Sequence, residues 1–367
     1  MLTGRSEFLV VSVVLITALV TACDSSESGP DEDASGFLDA SRDAVVDDAA
    51  HPIDASPSSD GGSVDGSEPQ DALVSGDAEV LCEGLCLAWP VAGARGVDWV
   101  INNYVDLDTT RGGRRDYQGN RGPNARTYDN HRGVDIDIAN FRAMDRGITV
   151  VAASPGTVRA TVNDQMDRNT SCLSNDWNVV EVDGDDGHLY LYGHLRRGSV
   201  EVRPGDRVEV GTRLAQVGSS GCSTAAHLHF EMRNPAGEVV DPFLDEHWAE
   251  APSYDTPLSI MDISLRSGAY SSVDELKDPG VDLEMIGVGQ QIGIGLSAAG
   301  GLSGDRIVFE VYDPSGVVFH SSFYTLRSAG RHSWWMHRVN VGDTPGAWRV
   351  VGRGSVGERS ISFDVTR

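Results

Sequence analysis

Apolar and polar residues alternate in short stretches along most of the chain, and glycine, proline, aspartate or asparagine interrupts them at close intervals. A period of two sends successive side chains to opposite faces of a strand, so the pattern predicts an all-β chain of antiparallel sheets. In the first such region the expected strands cover 148–152, 157–162, 178–182, 188–192, 207–210, 213–217 and 228–232. Residues 183–187, Asp-Gly-Asp-Asp-Gly, predict the turn of a β-hairpin. This acidic turn lacks the twelve-residue pattern ending in glutamate that a calcium loop needs, and reads as solvated. A proline-bearing connection, 251–257, leads to a second region with expected strands at 260–265, 291–296, 306–312, 317–326, 332–339, 348–352 and 360–365. Short strands with regular turns suggest a sandwich of immunoglobulin-like type, with Trp334, Trp335 and Trp348 as core aromatics. The glycines at 287, 289 and 293 have the wrong spacing for a dinucleotide loop.

One stretch departs from the alternation. Residues 8–22 are almost continuously apolar, follow Arg5 and end at Ala22-Cys23, the layout of a secretory signal peptide. Nothing else in the chain is apolar enough over enough residues to suggest a membrane span, which excludes a multi-span transporter. A small residue followed at once by cysteine resembles the bacterial lipobox, which implies removal of 1–22 and lipidation of Cys23 as the new N-terminus. Acyl chains gain about 0.8 kcal/mol per buried CH₂, and several together anchor stably. The expected location is therefore across the cytoplasmic membrane, lipid-anchored in the cell envelope. From 24 to 80 the chain holds sixteen acidic residues against Arg42 alone, with Phe37 the single aromatic. Such a segment cannot bury enough apolar surface to offset ordering, and self-repulsion extends it, so 23–80 reads as a disordered acidic tether. Its upper reach is on the order of 200 Å.

Charge and cysteines sharpen this layout. The formal net charge is −26, from 29 basic and 55 acidic residues, and the tether holds more than half of it. A basic face for gripping nucleic acid is excluded. At 367 residues the chain is long enough for two folded domains, expected at 81–248 and 258–367. Beyond Cys23 an even set remains, Cys82, Cys86, Cys172 and Cys222, which in an exported chain predicts disulfides with three possible pairings. Cys82 with Cys86 and Cys172 with Cys222 is the favoured set, since the second pair lacks the close spacing of a structural zinc cluster.

Candidate chemistry lies in histidines. Four of ten fall into three compact motifs: His131-Arg132-Gly133-Val134-Asp135, Tyr192-Gly193-His194-Leu195 and His227-Leu228-His229-Phe230-Glu231. Residues two apart on a strand share a face about 6.6 Å apart, so His227 and His229 look into one cleft while Leu228 and Phe230 pack inward. One can ligate a metal while the other stands beside it. A straight strand would hold His131 and Asp135 about 13 Å apart, too far for one ion, but Gly133 permits a bend. His131, Asp135 and His229 then make three protein ligands and leave a fourth position for water, the signature of a catalytic zinc site. His51, His188, His247, His320, His332 and His337 have no partners in sequence and read as ordinary.

Taken together, residues from about 131 to 243 resemble the lysostaphin/LytM-type zinc endopeptidases that cut peptidoglycan cross-bridges or stem peptides. The likeness includes the three histidine motifs, Ala153-Ser154-Pro155-Gly156-Thr157-Val158, Gly205-Asp206-Arg207-Val208, Gly218-Ser219-Ser220-Gly221 and Asp241-Pro242. It implies one Zn²⁺ held by His131, Asp135 and His229, with His194 and His227 as catalytic histidines that orient or deprotonate water and stabilise the oxyanion. Glu231 stays outside that catalytic set. Ala225-Ala226 departs from the glycine-or-alanine then proline common in the family, and Cys172 and Cys222 are additions. The expected protein is an envelope lipoprotein whose zinc endopeptidase domain hydrolyses peptidoglycan peptides, with the C-terminal sandwich as accessory. The alternative is a catalytically idle LytM-like binding protein that activates other wall hydrolases.

Overall fold

The computed structural model describes residues 86–172, 174–244 and 247–367, all within one compact unit. The signal peptide, Cys23, the acidic tether, His51 and Cys82 lie outside the described residues. Two apolar cores organise what is described, one on each side of the 251–257 connection.

The strands of the first part are β1 (Trp99–Asn103), β2 (Val134–Ile138), β3 (Thr149–Val151), β4 (Gly156–Val162) and β5 (Val179–Gly184). They continue with β6 (Leu189–Gly193), β7 (Arg207–Val208), β8 (Arg213–Gln216), β9 (His227–Arg233) and β10 (Val239–Val240). Among the described residues the main sheet runs β1-β2-β9-β6-β5-β4-β7, antiparallel throughout, with β10 beside β9 and a separate β3-β8 pair. β5 and β6 form the expected hairpin. Its turn uses Gly187 at φ +85°, and the Asp186 carboxylate accepts from the His188 N–H at 2.8 Å.

The alternation sorts this sheet cleanly. Val134, Ile136 and Ile138 of β2 and Leu228, Phe230 and Met232 of β9 are fully buried in the core. The intervening positions, Asp135 and Asp137 on β2 and His227, His229 and Glu231 on β9, must then share the opposite face. Register sets Asp135 across from His229 and Asp137 across from His227. Four elements of this part lie outside the expected strands: β1, β2, β10 and a helix, α1 (Phe141–Arg146). β1 is short and does not alternate, although a turn at 96–98 leads into it, and α1 is a short helix started by Asn140, whose side chain accepts from the Ala143 N–H at 2.9 Å, and stopped by Gly147 at φ +87°.

The second part comprises β11 (Ser259–Ser267), helix α2 (Val273–Lys277), β12 (Met285–Gly287), β13 (Gln291–Ala299), β14 (Arg306–Tyr312), β15 (Val318–Thr325), β16 (His332–Asn340), β17 (Gly346–Arg353) and β18 (Glu358–Thr366). All seven expected strands are present, with ends moved by a few residues. The sheet β11-β13-β16 faces the sheet β12-β18-β17-β14-β15 over one core that includes Leu265, Ile294 and Leu296 from the first and Phe309, Trp348 and Val350 from the second. The added strand β12 pairs parallel with β18. Trp348 is a core residue as expected. Trp334 and Trp335 are only half-buried: β16 is an edge strand, so neither ring is enclosed from both sides.

The two parts are joined by more than the connection. Met261 of β11 and Ala299 of β13 pack into the first core. Arg142 on α1 reaches Asp262 at 2.6 Å and Asp282 at 2.5 Å, and Arg126 reaches Asp255 at 2.7 Å. Among the described residues no helix is long and apolar enough to cross a membrane.

Candidate metal centre

The cleft face of β2 and β9 brings the three histidine motifs together. His131 lies just before β2, where the chain bends at Gly133, and its Nε2 is 3.1 Å from Asp135 Oδ1. His229 Nδ1 is 2.9 Å from the same oxygen and 3.4 Å from His131 Nε2. Ligands about 2.0–2.1 Å from a tetrahedral ion stand about 3.3 Å from one another, so these three atoms fit the corners of one coordination shell. All three residues are buried, and their ligand atoms lie within 4.8 Å of each other. The bend brings His131 back to Asp135, but Gly133 has a second role that spacing did not suggest. A Cβ there would sit 2.6 Å from His229 Nε2 and 2.7 Å from the Phe230 carbonyl, so only glycine admits the His229 ring.

What holds the far side of each ring decides which nitrogen faces the site. His131 Nδ1–H donates to the Tyr104 carbonyl at 2.7 Å, which leaves Nε2 as the ligand. His229 Nε2 lies 3.4 Å from Glu231 Oε2, which leaves Nδ1. Glu231 is itself buried and held by Arg233 at 2.6 Å. It belongs to the site as support for His229, a role the sequence reading did not give it. His194 Nδ1–H donates to the Ser220 carbonyl at 2.6 Å, and His227 Nδ1–H to the Ala225 carbonyl at 2.8 Å. The His194 and His227 rings lie 4.5 Å apart, and His227 Nε2 is 3.6 Å from Asp135 Oδ1. His194 has φ +57°, a left-handed conformation that costs a non-glycine residue about 1–3 kcal/mol and is kept where surroundings impose it.

Electrostatics follow from this packing. Burial works against an ionised Asp135, yet the His131 and His227 imidazoles and the hydrogen bonds from His131 and His229 hold its carboxyl well below the usual range. Burial and the neighbouring His227 and His229 push His194 well below an ordinary imidazole, so it is neutral near pH 7. Burial also disfavours charge on His229, but Asp135 and Glu231 outweigh it and raise this imidazole to about 9. The proton that Asp135 and Glu231 favour on His229 is what a bound cation would replace, and the donor set of two imidazoles and a carboxylate suits a divalent ion of the zinc class.

Residues 129–242 match the family described as Peptidase family M23. Residues 129–242 are an M23 peptidase domain. A curated relative, the lipoprotein NlpD/LppB homolog of Pseudomonas aeruginosa, is 35% identical over 112 residues, 30% of this chain and 32% of that protein. The match thus spans about a third of that relative's length. Solved structures similar to this chain include the catalytic domain of the prophage-encoded M23 protein EnpA from Enterococcus faecalis, 25% identical, covering 41% of this chain and 94% of that one, with a TM-score of 0.28. The catalytic domain of the antimicrobial peptidase lysostaphin from Staphylococcus simulans is 23% identical, covering 38% and 85%, with a TM-score of 0.24.

Several parts of this M23 site carried no pattern in sequence. Asn103 on β1 donates from Nδ2 to Asp135 Oδ2 at 3.0 Å. Trp177 packs against His194 at 4.9 Å and His229 at 5.6 Å between ring centroids. A Cβ on Gly193 would lie 2.2 Å from the Trp177 ring, so the glycine before His194 makes room for that indole. Cys172 and Cys222 form a disulfide that closes the loop carrying Trp177. Cys86 is disulfide-bonded as well. His332, read as ordinary, is buried, with Nδ1 2.8 Å from Asp137 Oδ2 and Nε2 2.8 Å from Ser297 Oγ. His320 and His337 also pair, Nε2 to Nε2 at 2.8 Å. Ser297 lies on β13 beside β16, Asp137 comes from β2 of the first part, and His320 and His337 face each other from different sheets, so spacing along the chain cannot reveal these partners.

Proposed function

We propose that this protein is a zinc-dependent endopeptidase that hydrolyses the peptides of peptidoglycan, presented to the cell wall from a membrane anchor at Cys23. The observation that carries the reading is the shared Asp135 Oδ1, flanked by His131 Nε2 and His229 Nδ1 at tetrahedral spacing with a neutral imidazole beside them. When bound, zinc supplies Lewis acidity, lowering the pKa of water and polarising a carbonyl. The chain supplies the rest. With Nδ1–H committed to a carbonyl, a neutral His194 or His227 presents only a lone pair at Nε2 and accepts a proton from the attacking water. Once protonated, the same Nε2–H donates to the developing oxyanion or returns the proton to the leaving amine. Burial of the His194 ring, with His227 half-buried beside it, limits the access of bulk water to those bonds.

The substrate class rests on the resemblance to lysostaphin/LytM-type enzymes, and the anchored location on the lipobox-like Ala22-Cys23 and on a relative that is named a lipoprotein. The test is digestion of purified peptidoglycan by wild type, His229→Ala and His227→Ala, with zinc content measured on each and products identified by mass. Wild type should carry about one zinc and release cleaved peptides, His229→Ala should lose both, and His227→Ala should keep zinc while losing at least 100-fold in rate. A wild type that holds zinc but releases no product would replace this reading with that of an idle binding protein.

A further inference from the structure

The metal-ligand carboxylate has a second oxygen, and what holds it leads out of the M23 domain. Asp135 Oδ1 faces His131 and His229, while Oδ2 accepts from Asn103 Nδ2 at 3.0 Å. Asn103 Oδ1 in turn accepts from Arg331 Nη1 at 2.8 Å. Arg331 belongs to the C-terminal sandwich, immediately before β16, about a hundred residues after the last histidine of the site.

An asparagine amide is nearly symmetric in shape, so its two ends are told apart by their partners. A guanidinium only donates, so Arg331 compels Asn103 to turn its oxygen outward and its NH₂ toward Asp135. The NH₂ then occupies Oδ2 and leaves Oδ1 for the metal. With Arg331 absent, nothing on that side prevents the flipped amide, which would set oxygen against oxygen at Asp135 Oδ2. Arg331 is not placed by chance. Its own carbonyl accepts from the Gly300 N–H at 2.6 Å, and the next residue, His332, is clamped between Asp137 and Ser297. Asp137 lies two residues from Asp135 on β2, on the same face. Ser297, His332 and Asp137 are all buried, so the trio serves as a tie between the two parts, and it fixes the backbone from which Arg331 reaches Asn103.

We propose that Arg331 of the C-terminal sandwich is a positioning residue of the metal centre, acting through Asn103 to hold Asp135 in its single-oxygen ligating geometry. The sandwich is then part of the site. This inference rests on the metal reading above, and the experiment separates the two. Zinc affinity is measured by chelator competition on the full chain for wild type, Arg331→Met, Arg331→Lys, Asn103→Leu and Arg142→Met, together with the visible d–d spectrum of each loaded with Co²⁺. Support of this kind for a metal ligand is typically worth 10–100-fold in affinity. Arg331→Met should therefore weaken zinc binding by about 10–100-fold and change the Co²⁺ spectrum. Asn103→Leu should do the same, and combining the two should cost little more than either. Arg331→Lys, which keeps a donor, should recover part of the loss. Arg142→Met also breaks a tie between the two parts but touches no ligand or its support, so it should lower thermal stability and leave zinc affinity within twofold. Equal affinity and an unchanged spectrum in Arg331→Met would overturn the relay, as would an equal loss in Arg142→Met. A wild type that binds no zinc would overturn the metal reading itself.

Discussion

Asp241 shows at the scale of one residue how this M23 domain trades solvation for packing. It is buried, its Oδ1 accepts from the Phe243 N–H at 2.9 Å, and its Oδ2 has no partner among the described residues. Burial first, and the nearby Asp116 carboxylate after it, raise this carboxyl to about 7, although the Phe243 N–H works the other way. In the unfolded chain it titrates near 3.8. Between about pH 4 and 7 the folded protein therefore binds the extra proton, and the stability this gives is present at low pH and lost as pH rises through the folded value. Asp241→Asn removes the titration and keeps the shape. In zinc-free protein the melting temperature of Asp241→Asn relative to wild type should rise by several degrees between pH 5 and pH 8. A difference that stays constant over that range would mean that Asp241 is ionised in the folded protein. The four site histidines, three buried and His227 half-buried, follow the opposite logic: each ring has a fixed acceptor for one nitrogen, which is how an imidazole can be enclosed with its other nitrogen still available.

At the scale of elements, what was legible in sequence is what short spacing encodes. His227 and His229 could be assigned to one face because period two requires it, and the β5–β6 hairpin because its turn residues are specific. His131 and Asp135 needed only the bend at Gly133. Asn103, Tyr104 and Trp177 were not legible, because each reaches the site from an element whose own sequence has no periodic signal, and only the register of β1 on β2 brings Asn103 to Asp135. The Cys172–Cys222 pairing was readable as a possibility, and its consequence belongs to this scale. The bridge closes a loop with a sequence separation of 50, which in the chain-entropy treatment stabilises the fold by about 4 kcal/mol. Asn169 and Ser219 add hydrogen bonds across the same loop base, at 2.8 Å to Gly221 and 2.7 Å to Asn169. Cys172→Ser/Cys222→Ser should lower unfolding stability by up to this amount, read by denaturant titration. Reductant should produce the same shift in wild type and none in the double variant. Zinc affinity should be unchanged, since none of the three ligands lies between the bridged cysteines or takes its supporting hydrogen bond from there. A loss of zinc on reduction would show instead that the loop holds His194 and His229 through Trp177.

On the scale of the whole molecule, the C-terminal sandwich reads less like an appended module than like a wall of the first part. Met261 and Ala299 lie in the M23 core, and Asp137 would lose its buried imidazole partner if β16 were removed. Arg142 would lose the carboxylates of Asp262 and Asp282 that pair with it across the junction. A chain ending at 257 gives up these contacts, exposes apolar surface at the junction, and frees the Asn103 amide. It should therefore unfold at lower denaturant, tend to associate, and bind zinc at least tenfold more weakly than the full chain. The acidic stretch 24–80 makes a contrasting case. Sixteen acidic residues and a single aromatic leave it little apolar surface to bury, so a chain starting at 81 should match the full protein in stability and zinc affinity. Comparing both truncations by denaturant unfolding and chelator competition decides the point. If the chain ending at 257 were as stable and as tight for zinc as the full protein, the sandwich would be a separate accessory, and the junction contacts would be only the packing of two independent folds.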